Sequence, residues 1–136
     1  MEEKRKDTYI WPDLAVSSME AAQQAKKPVY LYGDSGCGKT ALVKRYLLTR
    51  GSDDDRYVYL QAGELTSRRL EKIAGDRDVT VLVLDDLQEL PGMEEAEELK
   101  ARIRRILTQG RLWVILISRG RMPGWLLVVQ MEIDIQ

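Results

Sequence analysis

Apolar positions along the chain alternate between the 3.6-residue spacing of amphipathic helices and the short unbroken runs of buried strands. Residues 14–25 place Ala15, Met19 and Ala22 on one helical face behind a candidate N-cap, Asp13, and stop at Lys26-Lys27-Pro28. Val29–Tyr32 is a short run of β-formers, followed by glycines and then by residues 40–48, where Leu42, Val43, Tyr46 and Leu47 recur at helical spacing. Gly51-Ser52-Asp53-Asp54-Asp55 reads as a turn, Tyr57–Gln61 as a second strand, and residues 64–74 as a basic-faced helix closed by Gly75. Residues 79–84 and 112–117 are almost wholly apolar without alternation, as strands buried on both faces require. Between them residues 93–108 carry Ala96, Leu99, Ile103, Ile106 and Leu107 on one stripe, with glutamates first and arginines last, which suits the helix dipole and a solvated outer face. Residues 131–136 alternate strictly and predict a half-exposed strand near a sheet edge, whereas residues 123–130 form a connector of no clear type.

Strands alternating with helices over 136 residues predict one domain, 1–136. Its expected fold is a three-layer α/β/α sandwich around a mainly parallel five-stranded sheet. No internal repeat or low-complexity segment interrupts that order.

The glycine stretch Gly33-Asp34-Ser35-Gly36-Cys37-Gly38-Lys39-Thr40 satisfies G-x-x-x-x-G-K-[ST] at every fixed position, directly after a strand and at the start of a helix. In a chain this long the four fixed positions coincide by chance about once in two hundred. Glycines let successive backbone N–H groups converge on one centre, and the following helix adds its positive dipole end. The stretch from Gly33 to Ala41 is therefore the expected contact with a nucleoside triphosphate, with Lys39 on the β- and γ-phosphates and the Thr40 hydroxyl on Mg²⁺. Cys37 fills a variable position with a small side chain, and Tyr9 and Trp11, ahead of the first helix, read as packing aromatics.

A second cluster follows the strand at 79–84, which runs into Asp85-Asp86. Carboxylates at the carboxyl end of a central parallel strand lie where such sheets bind ligands, so Asp85 is expected in the Mg²⁺ shell and Asp86 facing the attacking water. The strand at 112–117 ends in Ser118-Arg119, which puts the Arg119 guanidinium at the same sheet edge, suited to sensing or stabilising the γ-phosphate. The expected activity is a weak Mg²⁺-dependent ATPase with ATP or ADP as ligand. The absence of N-K-x-D leaves adenine favoured by default.

Composition narrows the rest. The chain has no histidine and one cysteine, which removes zinc sites and histidine acid–base chemistry and fits a reducing, cytoplasmic setting. No apolar run approaches a bilayer crossing. A formal net charge of -1 gives no global attraction to nucleic acid, and direct nucleic-acid binding by this segment is not expected.

GDSGCGKT, VLVLDD and ILISR, in this order, resemble the signal-transducing ATPases with numerous domains (STAND). Arg121, Pro123, Trp125 and Leu126 after ILISR resemble, within that class, the ATPase module of MalT-like bacterial LuxR-type transcriptional regulators. The resemblance implies a slow nucleotide switch, as an N-terminal fragment of a larger regulator. Its partners would be a downstream lid, winged-helix, sensor and effector domains, with self-association compatible. Two other readings stand beside it: an AAA-type ATPase module of a loader or remodelling assembly, which would turn over ATP against neighbouring subunits, and a nucleotide-binding interaction module that does not hydrolyse.

Overall fold

A computed structural model describes residues 13–33, 38–50, 55–90, 93–126, 129 and 131–135. The element order is α1 (Asp13–Ala25), β1 (Val29–Tyr32), α2 (Lys39–Arg50), β2 (Tyr57–Gln61), α3 (Ser67–Gly75), β3 (Val81–Asp85), α4 (Met93–Gln109), β4 (Trp113–Ser118) and β5 (Met131–Asp134). The strands form one sheet in the order β2-β3-β4-β1-β5, and every pairing is parallel.

Alternation along the inner strands sorts their side chains between two helical layers. Val29, Leu31, Val81, Val83, Trp113, Ile115 and Ile117 face one side, where Val16 and Met19 of α1 and Leu42 and Tyr46 of α2 cover them. Tyr30, Leu82, Leu84, Val114 and Leu116 face the other, under Leu70 and Ile73 of α3 and Leu99 and Ile103 of α4. This is the expected three-layer sandwich. Continuous apolar runs were needed because both faces of β3 and β4 are covered; all five residues of β3 and all six of β4 are buried. Edge strand β5 buries Ile133 and exposes Asp134, as its alternation predicts.

Several boundaries differ from the sequence reading, each for a local reason. The helix expected at 64–74 begins at Ser67, because the Thr66 hydroxyl accepts a hydrogen bond from the Arg69 N–H at 3.1 Å and caps it there. Residues 62–64 form a separate 3-10 turn. Gly75 is the last helical residue, and the cap is Asp76, whose N–H donates to the Ile73 carbonyl. Strand β3 starts two residues late, since the Thr80 N–H donates to the Arg56 carbonyl before the ladder begins. The connector at 123–130 contains a 3-10 turn, Gly124–Leu126, whose Leu126 is fully buried. α1 closes with Lys26 in the left-handed region (φ 54°), while the Lys27 N–H reaches back to the Ala22 carbonyl at 2.9 Å. No helix among the described residues is long and apolar enough to cross a membrane.

Candidate functional site

The carboxyl ends of β1, β3 and β4 meet at one edge of the sheet, with β4 between the other two. Gly38, at φ 91°, has a backbone conformation that a side chain would strain, and it passes directly into α2, where the Leu42 N–H donates to its carbonyl at 2.8 Å. Lys39 is 8% exposed, and its Nζ donates to the Gly33 carbonyl at 2.7 Å. Thus the ammonium is folded over the loop it belongs to. Asp34, Ser35, Gly36 and Cys37, together with Tyr9 and Trp11, lie outside the described residues.

Asp85 closes β3 and is 4% exposed. Burial of a carboxylate needs donors, and three supply it. The Thr40 hydroxyl donates to Oδ2 at 2.6 Å, the Tyr59 hydroxyl donates to the same oxygen, and the Asp86 N–H donates to Oδ1 at 2.7 Å. Burial, followed by the contact with Asp85, pushes the Tyr59 phenol up to about 12, so it stays a donor across the neutral range. Lys44 Nζ lies over the Tyr59 ring, 4.8 Å from its centre.

Asp86 has φ 53° and ψ 48°, a left-handed conformation rare outside glycine and asparagine-like residues, and it opens the 3-10 turn Leu87–Glu89. Gln88 of this turn donates through Nε2 to Asp86 Oδ1 at 3.3 Å, and its Oε1 accepts from the Ser118 hydroxyl at 3.0 Å and the Arg119 N–H at 3.2 Å. Arg119 pairs with Glu89 at 3.2 Å on the rim. Asp86, Gln88, Glu89 and Arg119 line a cleft of about 620 Å³ together with Asp85, Gln61, Gly63 and residues 38–41.

The described candidate residues, Gly38, Lys39, Thr40, Ala41, Asp85, Asp86 and Arg119, therefore share one cleft, and Gly33 is joined to it through the Lys39 contact. Sequence reasoning missed Tyr59 and Gln88. Tyr59 carried no signal beyond strand propensity. Gln88 stood two residues after Asp86, but its contact with Ser118 depends on strand order, which periodicity does not give.

The fold is that of a P-loop NTPase domain. Within that class, the profile of the bacterial DnaA ATPase domain matches residues 12–133, and the chain belongs to that family. It is 32% identical over 96 residues to the chromosomal replication initiator protein DnaA of Clavibacter sepedonicus, a match covering 62% of this chain and 20% of that protein. The chain thus spans about a fifth of the curated relative's length. Domain III of the Thermotoga maritima replication initiation protein DnaA superposes with a TM-score of 0.66 at 19% identity, covering 95% of this chain and 64% of that one. A replication initiator DnaA bound to AMPPCP and single-stranded DNA superposes with a TM-score of 0.62 at 20% identity, covering 90% of this chain and 46% of that one.

These findings correct three expectations. The family match overturns the likeness to STAND and MalT-like regulators, and with it the transcription-regulating switch and its winged-helix, sensor and effector partners. GDSGCGKT, VLVLDD and ILISR do not separate one P-loop ATPase family from another, while Trp125 and Leu126 belong to a 3-10 turn packed on the core. The AAA-type alternative is closer. The expectation of no nucleic-acid contact is also corrected, because the DnaA structure matching 90% of this chain holds single-stranded DNA. A net charge near zero is an average over the surface and says nothing about one basic helix.

Proposed function

We propose that this chain is the ATP-holding module of a DnaA-type replication initiator, a slow Mg²⁺-dependent ATPase of the cytoplasm that also contacts single-stranded DNA. The observation that carries the nucleotide part is the 2.6 Å hydrogen bond from Thr40 to the buried Asp85, next to the buried ammonium of Lys39, in one cleft.

The residues fit a metal–triphosphate ligand. Thr40 and Asp85 offer a hydroxyl and a carboxylate, the hard oxygen donors that Mg²⁺ takes, and Lys39 with the N-terminus of α2 offers positive charge for the phosphates. Mg²⁺ bound there would neutralise negative charge on the phosphate oxygens. Lys39 exchanges its bond to the Gly33 carbonyl for phosphate oxygens. Asp86 accepts a proton-bearing water and orients it, and Arg119 leaves Glu89 to meet the terminal phosphate. Adenine is the base proposed, in keeping with the AMPPCP held by the DnaA structure.

Support for DNA contact comes from α3. Its buried stripe is Leu70 and Ile73, and its outer face presents the exposed Arg68, Arg69 and Lys72 a few residues beyond Gly63 of the cleft. An exposed basic helix face can track a phosphate backbone. The test is fluorescence anisotropy of a labelled oligothymidine titrated with the chain in Mg·ATP at several salt concentrations. The parent should bind, and Arg68→Ala with Lys72→Ala should flatten the plot of log K against log salt by about 1.4, or 0.7 per charge removed. An unchanged slope would remove α3 from the interface. Failure of Mg·ATP to bind in calorimetry would refute the nucleotide part.

A further inference from the structure

We propose that Gln88 is a positioning residue for Asp86, holding its carboxylate toward the cleft from an anchor on the neighbouring strand. The kinetic consequence rests on the ATPase reading above, whereas the contacts do not.

Asp86 sits where the chain leaves β3 in a left-handed conformation, beyond the ladder that fixes Asp85. Asp85 is held by three donors. Among the described residues, the Asp86 carboxylate has one hydrogen-bond partner, Gln88 Nε2 at 3.3 Å. A carboxylate so lightly held swings about its side-chain torsions unless that partner is itself fixed.

Gln88 is fixed, and in one orientation. The Arg119 backbone N–H can only donate, so the amide atom facing it at 3.2 Å must be the oxygen. The Ser118 hydroxyl, on a residue 4% exposed at the end of β4, donates to the same oxygen at 3.0 Å. Turning the amide over would set NH₂ against N–H. The two anchors, Ser118 at the end of β4 and Arg119 just after it, therefore aim Nε2 at Asp86, two residues back in the chain. Because β4 pairs directly with β1, which feeds the glycine loop, the position of Asp86 is referred to the phosphate-binding strand through Gln88. A rate effect without a binding effect follows, since orientation of a water-holding carboxylate matters in the transition state and little in the ground state.

Two measurements on the full chain test this. In ¹⁵N spectra, the Gln88 side-chain amide signals should move in Asp86→Asn and stay in place in Asp76→Asn. Single-turnover hydrolysis is then compared for the parent, Gln88→Met, Asp86→Asn and the double variant, with Mg·ATP affinity measured for each. Gln88→Met keeps length and neutrality. It should bind Mg·ATP within about twofold of the parent and turn over about tenfold more slowly, while adding no loss in the Asp86→Asn background. Gln88→Glu, which keeps an oxygen for Ser118 and Arg119 but loses the donor, should also be slow.

Amide signals indifferent to Asp86 overturn the contact. An equal loss in both backgrounds overturns the positioning role and makes Gln88 a strand tie. A parent that binds Mg·ATP without turning it over overturns the hydrolysis reading and this consequence with it, while the spectra still decide the contact.

Discussion

Tyr59→Phe removes a single oxygen from the candidate site, and its effect can be worked out before it is made. The Tyr59 hydroxyl is one of three donors to Asp85, and the ring is held separately by Lys44 at 4.8 Å, a contact that phenylalanine keeps. A hydrogen bond to a charged group contributes about 1.5–3 kcal/mol. The low end applies here, because Thr40 still donates to the same oxygen at 2.6 Å. Two consequences separate. Asp85 is 4% exposed, so the loss of this donor should lower unfolding free energy by about 1.5 kcal/mol, read from urea melts. The loosened carboxylate should weaken metal-dependent nucleotide binding about tenfold, the lower range for loss of a group that orients a metal ligand. Calorimetry with ATP in Mg²⁺ and again in EDTA isolates that part: affinity in EDTA should stay within about twofold of the parent. If the variant lost equally in both buffers, Tyr59 would act through packing of the cleft wall, and its assignment to Asp85 would be wrong.

Three further outcomes are expected. Lys39→Ala should lose about 1.5–3 kcal/mol of triphosphate affinity by calorimetry, the share of one charge-assisted contact, with little change in folding. Burial, then the nearby Glu20, raises the Tyr46 phenol from 10.0 to about 12. The folded state thus keeps a proton that the unfolded chain releases, and stability complete below pH 10 falls between pH 10 and 12 by about 1.4 kcal/mol per pH unit from this group. Tyr46→Phe should flatten that decline by the same amount in alkaline melts. Lys26→Gly should raise stability by about 0.5–1 kcal/mol, or a few degrees in Tm, because relief of the left-handed lysine outweighs the added freedom of the unfolded chain; a lower Tm would discredit the cap described at α1.

Much of the fold was legible because periodicity is imposed by burial. The doubly covered strands β3 and β4 had to be apolar throughout, and the helices over them had to carry stripes, so 79–84, 93–108 and 112–117 declared themselves. One glycine of the G-x-x-x-x-G-K-[ST] stretch was legible for a different reason: glycine at 38 answers a backbone angle that other residues resist. Strand order was not legible. Nothing in a run such as ILIS says that it lies between β1 and β3, and the role of Gln88 depends on that placement. Helix α3 was misjudged by three residues because Glu64 continues the helical composition, while the Thr66 hydroxyl decides the start. The family assignment failed because GDSGCGKT, VLVLDD and ILISR do not separate one P-loop family from another, and of Arg121, Pro123, Trp125 and Leu126, which pointed to MalT-like regulators, Trp125 and Leu126 answer to packing.

The placement of β4 also bears on how the molecule comes together. The Thr40–Asp85 bond joins groups 45 residues apart, and the Tyr30 hydroxyl reaches the Gly120 carbonyl 90 residues away, just past the end of β4. The Thr40–Asp85 contact cannot be assembled by any local segment; it exists only after distant stretches have met, and such non-local contacts slow folding. ATP would then act as a thermodynamic latch on the native state, raising its stability by RT ln(1 + [L]/Kd), about 2.7 kcal/mol at a hundredfold excess over Kd. Cellular nucleotide levels would set how long the chain survives proteases as well as what it does.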